Sequence, residues 1–136
     1  MKILIVDPFP WVRQSIAVLL KNMGFEMTVT EVGEYHQSLS FIRQNRFDLV
    51  IVSASLRSGF DDIDGLKIVN FCKHLYNGTM GVRTILLAPY FDFQLRAQAA
   101  DAGANAILTM PLRHLEDFAI AVNTALETSP SQAQTR

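Results

Sequence analysis

An uninterrupted run of four aliphatic residues, Leu49–Val52, is the feature that most constrains the fold of this chain. Apolar residues without alternation are typical of a strand that is covered on both faces, as in the centre of a parallel α/β sheet. The run ends at Ser53, which would stand at the carboxyl end of that strand. In open α/β sheets this edge is where ligands bind and chemistry takes place, so Ser53 is a candidate functional position.

Five strand patterns alternate with five helix patterns along the chain. The predicted strands are Ile3–Val6, Met27–Val32, Leu49–Ser53, Thr84–Ala88 and Ala106–Thr109. The predicted helices run from Pro10 to Met23, from about Glu34 to Asn45, from Asp64 to Leu75, from the aromatic-rich segment at 90–93 to Ala102, and from Leu115 to Leu126. Each connection between strands contains a helix and is long enough for a crossover. This pattern predicts an α/β fold: a doubly wound, five-stranded parallel sheet of order 2-1-3-4-5 with helices on both faces.

Composition and length set the broad class of protein. The 12 basic and 13 acidic residues nearly cancel and form no basic cluster, so no direct contact of this segment with nucleic acid is expected. The single cysteine, Cys72, cannot form an internal disulfide, and no stretch is apolar enough for a signal peptide or membrane span. We therefore expect a cytoplasmic protein without membrane contact, with one domain over 1–127 and a flexible linker or tail over 128–136.

The predicted strand order brings several strand ends to one pocket. Neighbouring parallel strands present their carboxyl ends at the same edge of the sheet. The residues expected to face this pocket are Asp7, Pro8, Ser53, Ala88 and Met110.

Short motifs at these strand ends resemble those of bacterial response regulator receiver domains. They are Ile5-Val6-Asp7, Asp48–Val52, Asp64-Gly65, Ala102–Ala104 and Pro111. The resemblance covers residues 1–127 and implies the flavodoxin-like receiver fold. An active receiver uses an aspartate that accepts a phosphoryl group, acidic neighbours that hold magnesium, a hydroxyl group and a lysine. The resemblance places Ser53, Ala88 and Met110 at the aspartate, hydroxyl and lysine positions, and Pro8 at one of the acidic positions beside Asp7.

Each of these replacements removes part of the phosphotransfer chemistry. A serine hydroxyl is not ionised near neutral pH and forms no acyl phosphate. The single remaining carboxylate of Asp7 offers too few hard oxygen ligands to hold magnesium firmly. Met110 cannot neutralise a phosphoryl group, and Ala88 cannot donate a hydrogen bond to it. The sequence therefore predicts a degenerate phosphoacceptor pocket, with no catalytic residues, no metal and no cofactor.

The segment between Ser53 and Gly65 is about four residues longer than the usual receiver loop. Some NarL-like transcription regulators are similar in having an extended loop here. That resemblance would imply a helix-turn-helix DNA-binding domain beyond residue 136.

Several candidate residues keep two interpretations. Asp7 is either a residual magnesium ligand or a helix-end cap or polar plug, and Ser53 is either a target of a Ser/Thr kinase or a filler of the space left by aspartate. Asp61, Asp62 and Asp64 either recruit a cation or replace the phosphoacceptor, or they form a solvated loop in which Asp64 caps the third helix. The three histidines, His36, His74 and His114, lack metal-ligand spacing.

A possible interface lies outside the pocket. Tyr90, Phe91 and Phe93 begin the fourth helix, on the side of the receiver fold that many family members use for dimers and partners. Ile107 occupies a position where the family often has a switching aromatic residue, which favours a fixed interface over a moving one. These aromatic rings are equally compatible with a place in the core.

These observations predict a pseudo-receiver that performs no catalysis and no phosphotransfer. We expect it to act by protein–protein contact, as a homodimer or with another regulator protein, and to regulate transcription. The alternative is a small-molecule sensor whose pocket is built around Ser53, Ala88 and Met110. An enzyme on this scaffold is disfavoured, because the sequence has neither a glycine-rich phosphate loop nor a nucleophile–base pair.

Overall fold

The structure is a computed structural model that describes residues 1–24, 26–56, 63–75, 82–89 and 93–127, without the side chain of Phe93. Its strands are β1 (Lys2–Val6), β2 (Thr28–Val32), β3 (Leu49–Ser53), β4 (Arg83–Pro89) and β5 (Ala106–Met110). Its helices are α1 (Pro10–Asn22), α2 (Tyr35–Gln44), α3 (Asp64–His74), α4 (Phe93–Ala102) and α5 (Leu115–Glu127).

All five strands are parallel and lie in the order β2-β1-β3-β4-β5, which confirms the predicted fold class and strand order. The register places Val6 opposite Val52 and Ser53 opposite Leu87. At the next pair of strands, Pro89 lies opposite Met110. The ends of β1, β3, β4 and β5 therefore lie close together at one edge of the sheet.

Two apolar layers cover the sheet. Side chains of α2, α3 and α4 pack on one face and those of α1 and α5 on the other. β3 supplies both layers: Val50 and Val52 belong to one, Leu49 and Ile51 to the other, and all four are fully buried. Burial on both faces explains why this strand is aliphatic without alternation.

The boundaries of α1 follow the expected local chemistry. Pro10 occupies the first helical position, where its missing N–H would have had no partner within the helix. Beyond the other end, Gly24 has a φ of +82°, which favours a residue without a Cβ atom. Gly103 ends α4 in the same way, with a φ of +97°. The sequence therefore predicted these helix ends correctly.

Three local predictions were wrong. Asp64 does not cap α3: Ile63 occupies the N-cap position, and Asp64 is the first helical residue, only 4% exposed, with an oxygen 3.6 Å from Lys67 Nζ. Asp64 is thus part of the packed structure rather than of a solvated loop. The last strand extends one residue beyond the predicted Thr109, to Met110, which is followed by the cis bond to Pro111. Met27 precedes β2 instead of starting it.

Cys72 is fully buried on α3. Burial disfavours the charged thiolate and raises the pKa of this thiol to about 12. The thiol is therefore structural, as its place on an apolar helix face predicts.

No helix within the described ranges is both long and apolar enough to cross a membrane.

Candidate functional site

A cavity of about 400 Å³ opens at the carboxyl edge of the sheet. All five residues expected to face one pocket line it: Asp7, Pro8, Ser53, Ala88 and Met110. Four strands contribute, because the strand register brings the ends of β1, β3, β4 and β5 to this edge. The structure thus places together residues that are up to 103 positions apart in the chain (110 − 7 = 103).

Asp7 and Ser53 form the polar centre of the cavity. The Ser53 hydroxyl donates a hydrogen bond to Oδ2 of Asp7. The main-chain N–H of Phe9 donates to Oδ1 at 2.8 Å. Asp7 is only 5% exposed, so these bonds replace water around a buried carboxylate. This geometry corresponds to the interpretation of Asp7 as a polar plug that holds the start of α1 against the sheet.

The nearby cation, Arg13, does not contact this carboxylate. Its Nη1 donates to the main-chain oxygen of Asp7 at 2.6 Å, and its Nε lies 3.3 Å from Oε1 of Glu31. The guanidinium therefore ties α1 to the end of β1 and to β2. Its charge is directed at Glu31 rather than at the Asp7 carboxylate.

The rest of the cavity wall is largely apolar. Leu87, Ala88 and Pro89 come from β4, and Met110 and Pro111 lie at the end of β5. Among the residues of the described structure that line this cavity, none is a lysine, arginine or histidine. Ala88 and Met110 thus contribute only hydrocarbon and a thioether to the wall.

Two exposed aromatic rings stand at the mouth of the cavity, and the sequence analysis missed them. Phe9 is 54% exposed and Trp11 is 67% exposed, and both line the cavity. Their ring centroids lie 5.9 Å apart, with a tilt of 33°. The segment Phe9-Pro10-Trp11 directly after the first strand was the available signal, because a strand end followed by a helix start lies at the ligand-binding edge.

The start of α3 lies directly against the strand end that carries Ser53. The N–H of Gly65 donates to the main-chain oxygen of Ala54 at 3.1 Å. A Cβ atom at Gly65 would lie 2.0 Å from the main-chain oxygen of Ser53. Only glycine allows this approach, which explains the Asp64-Gly65 mark in the sequence.

The proposed interface residues are only partly covered by the structure. Tyr90 and Phe91 lie outside the described residues, and Phe93 is described only as backbone of α4. Ile107 is half-buried, packs against the layer formed by α2, α3 and α4, and also lines a groove between β5 and α5.

The other candidate ligands form no metal-binding cluster among the described residues. Asp61 and Asp62 lie outside the described residues. Where the chain is described, no group of three or more His, Cys, Asp or Glu side chains is placed to hold a metal ion.

Comparison with known families agrees with the fold and with the strand-end motifs. The family model of the response regulator receiver domain matches residues 3–122. The chain belongs to the response regulator receiver family. Receiver domains are generally non-enzymatic modules of two-component signal transduction, and they act by contact with other signalling proteins.

Individual relatives have low sequence identity, but the matched regions cover most of this receiver. The chemotaxis protein CheY-3 of Vibrio cholerae is 28% identical over 111 residues, which cover 82% of this receiver and 81% of that protein. The DNA-binding response regulator MtrA of Mycolicibacterium smegmatis is 25% identical over 115 residues, covering 85% of this receiver but 46% of MtrA. The receiver thus spans about half the length of that relative.

A solved structure shows the same architecture. It is the signal receiver domain of an HD domain-containing protein from Pseudomonas fluorescens, with 26% identity and a TM-score of 0.75. The match covers 93% of this receiver and 94% of that chain.

Proposed function

We propose that this receiver signals without accepting a phosphoryl group and acts through protein–protein contact. The observation that carries the proposal is the composition of the pocket, where Ser53, Ala88 and Met110 stand at positions that serve phosphotransfer in active receivers. The scaffold around them is intact, since the sheet order and the Gly65 contact are those of a receiver.

The hydrogen bond from Ser53 to Asp7 does not create a nucleophile. An alcohol is a far weaker acid than a carboxyl group, so the carboxylate does not remove its proton and the hydroxyl stays protonated. A phosphoryl group would also bring negative charge next to Asp7 in a cavity whose described lining residues include no cation. Phosphoryl transfer depends on positioning and on neutralising this charge, and the pocket supplies neither.

The output contact is proposed at the groove between β5 and α5. This groove is lined by Ile107 and by Ile120, which is 60% exposed, and has Arg96 and Asp117 along it. A surface that carries both charge signs beside an exposed aliphatic residue allows a two-fold contact in which each charge meets its opposite on the second copy. A second copy of the chain is therefore the proposed partner, with another regulator protein as the alternative.

Transcription is the proposed output. The relative MtrA is named as a DNA-binding response regulator and extends well beyond the region that matches this receiver. The near-neutral receiver would regulate a separate DNA-binding segment rather than grip DNA itself.

We expect no phosphoryl adduct after incubation with acetyl phosphate and Mg²⁺. Intact-mass measurement, followed by peptide mapping, checks this, because one phosphoryl group adds a fixed mass to the chain. The positive control is a receiver that has aspartate at the position of Ser53 and lysine at the position of Met110. A stable adduct at one site of this chain would overturn the proposal.

We expect the Ile120→Arg substitution to weaken self-association by about tenfold or more, which corresponds to about 1.4 kcal/mol. An arginine at this position would be buried in the proposed two-fold contact, where it would face the same arginine of the second copy. Sedimentation velocity over a concentration series measures the dissociation constant. Val18→Arg is the matched control, because Val18 is 57% exposed on α1 and lies outside the groove. A wild-type chain that stays monomeric at all concentrations would exclude the homodimer.

Small-molecule sensing is a second candidate, favoured by the cavity itself. Its volume of about 400 Å³ lies in the range of clefts that hold small organic ligands, about 300–1,000 Å³. A ligand that binds only the native state would raise the melting temperature of the receiver.

A further inference from the structure

We propose that the cavity at the carboxyl edge of the sheet binds a small organic ammonium ion, an amine with an apolar or aromatic body, through the carboxylate of Asp7. The inference deepens the sensing function and rests on the proposed loss of phosphotransfer, because a phosphoryl group and such a ligand would need the same space. It is carried by the charge, the lining and the size of the cavity.

The Asp7 carboxylate has acceptor capacity left for a ligand. An ionised carboxylate offers about four lone-pair positions, and the described bonds from Phe9 N–H and Ser53 O–H occupy two of them. Both donor groups are neutral, so the carboxylate keeps its negative charge. An ammonium group would bring several N–H donors and the opposite charge together.

The charges around Asp7 also favour a cation. Among the described residues, Arg13 is the positive group next to Asp7, and it is paired with Glu31 at 3.3 Å. Together Asp7, Arg13 and Glu31 carry one net negative charge. An anionic ligand would enter this field without a partner, whereas a monocation would neutralise it.

A bare metal ion fits the cavity less well than an organic cation. Mg²⁺ requires near-octahedral oxygen coordination and strongly retains its water. Asp7 is the only carboxylate among the described lining residues, and Leu87, Ala88 and Met110 would face the hydrated ion with hydrocarbon and sulfur. The same side chains would instead cover the apolar body of an amine.

The rings of Phe9 and Trp11 complete the site. They are largely exposed although they stand at the cavity mouth, so a ligand would gain by covering them. Their faces can stack on an aromatic body or attract the cation itself. The site thus combines one buried charge, an apolar floor and an aromatic rim.

Titration with three probes of similar shape tests this proposal: 2-phenylethylamine, 2-phenylethanol and 3-phenylpropanoate. Amide chemical shifts of the unaltered receiver at pH 7 report where each probe binds. We expect saturable shifts at Asp7, Ser53 and Ala88 with the amine, and a dissociation constant about tenfold or more below that of the alcohol. The propanoate is expected not to bind, and Mg²⁺ at equal concentration not to reproduce the shifts.

The Asp7→Asn variant removes the charge and keeps the shape of the side chain. We expect it to lose the preference for the amine over the alcohol, while the control Glu26→Gln, which removes an exposed acid outside the cavity, keeps it. The proposal is overturned by equal affinity for amine and alcohol, by shifts confined to other parts of the protein, or by unchanged amine binding in Asp7→Asn. The comparison of probes uses the unaltered chain, so it remains decisive where Asp7→Asn is unstable.

The outcomes distinguish failure of the proposed ligand class from failure of the proposed function. Absence of amine selectivity, with no adduct from acetyl phosphate, overturns only the ligand class. A phosphoryl adduct overturns the proposed function and this inference together.

Discussion

Replacing Gly65 by alanine is expected to lower the free energy of unfolding by about 3 kcal/mol or more. The added Cβ atom would lie 2.0 Å from the main-chain oxygen of Ser53 and 2.7 Å from Cα of Ala54. Both atoms belong to the backbone, so no side-chain rotation can relieve the overlap. Either the start of α3 or the end of β3, which carries Ser53, must move.

Urea unfolding followed by circular dichroism measures this effect. Gly24→Ala is the matched control, because it has a left-handed φ of +82° but no atom within 4 Å of the added Cβ. Its expected cost is only the backbone strain of about 1 kcal/mol. If Gly65→Ala were no less stable than Gly24→Ala, the close approach between α3 and β3 would be wrong.

Replacing Ser53 by aspartate is expected to destabilise the receiver by about 2–4 kcal/mol at pH 7. The new carboxylate would stand against the buried Asp7, with which Ser53 now shares a hydrogen bond. Two like charges about 4 Å apart repel by ~4 kcal/mol at an effective dielectric constant of about 20. Met110 supplies no positive charge to offset this repulsion.

The pH dependence gives a second signature of the Ser53→Asp variant. Repulsion raises the pKa of one carboxyl group in the native state above its value of about 4 in the unfolded chain. The native state then holds more protons than the unfolded state. The loss of stability relative to the unaltered receiver therefore grows as the pH rises above about 4 and shrinks at lower pH.

Unfolding at pH 7 and pH 4 measures both effects. Ser53→Asn is the uncharged control of equal shape, and its stability deficit is expected to be smaller and nearly independent of pH. Adding Met110→Lys to Ser53→Asp should recover most of the loss, because the ammonium would face the carboxylate pair. Equal stability of the aspartate and asparagine variants at pH 7 would contradict the described cavity.

Local chemistry was sufficient to predict most of the fold. The unbroken Leu49–Val52 run indicated a doubly covered strand, because burial on both faces leaves no position for a polar side chain. Pro10 and Gly24 marked the ends of a helix through their own backbone preferences. The convergence of Asp7, Ser53 and Met110 also followed, since strand order alone decides which strand ends are neighbours.

Side-chain placement was not predictable in the same way. Asp64 suggested a helix cap in a solvated loop, but it is buried one position inside α3. The segment Phe9-Pro10-Trp11 indicated a place near the ligand-binding edge but not the exposure of its two rings, because an aromatic residue near a strand end suits the core equally well. In both cases the packing of distant elements sets the environment.

The sequence by itself determined the parallel sheet and its strand order, because these depend on residue type and on periodicity along the chain. Only the tertiary structure decided that Asp7 is held by Ser53 and Phe9 and that Arg13 turns to Glu31 instead. Only the structure also showed an open cavity at the carboxyl edge of the sheet. Hydrogen-bond partners and empty volume depend on side-chain geometry across distant segments, which no local pattern encodes.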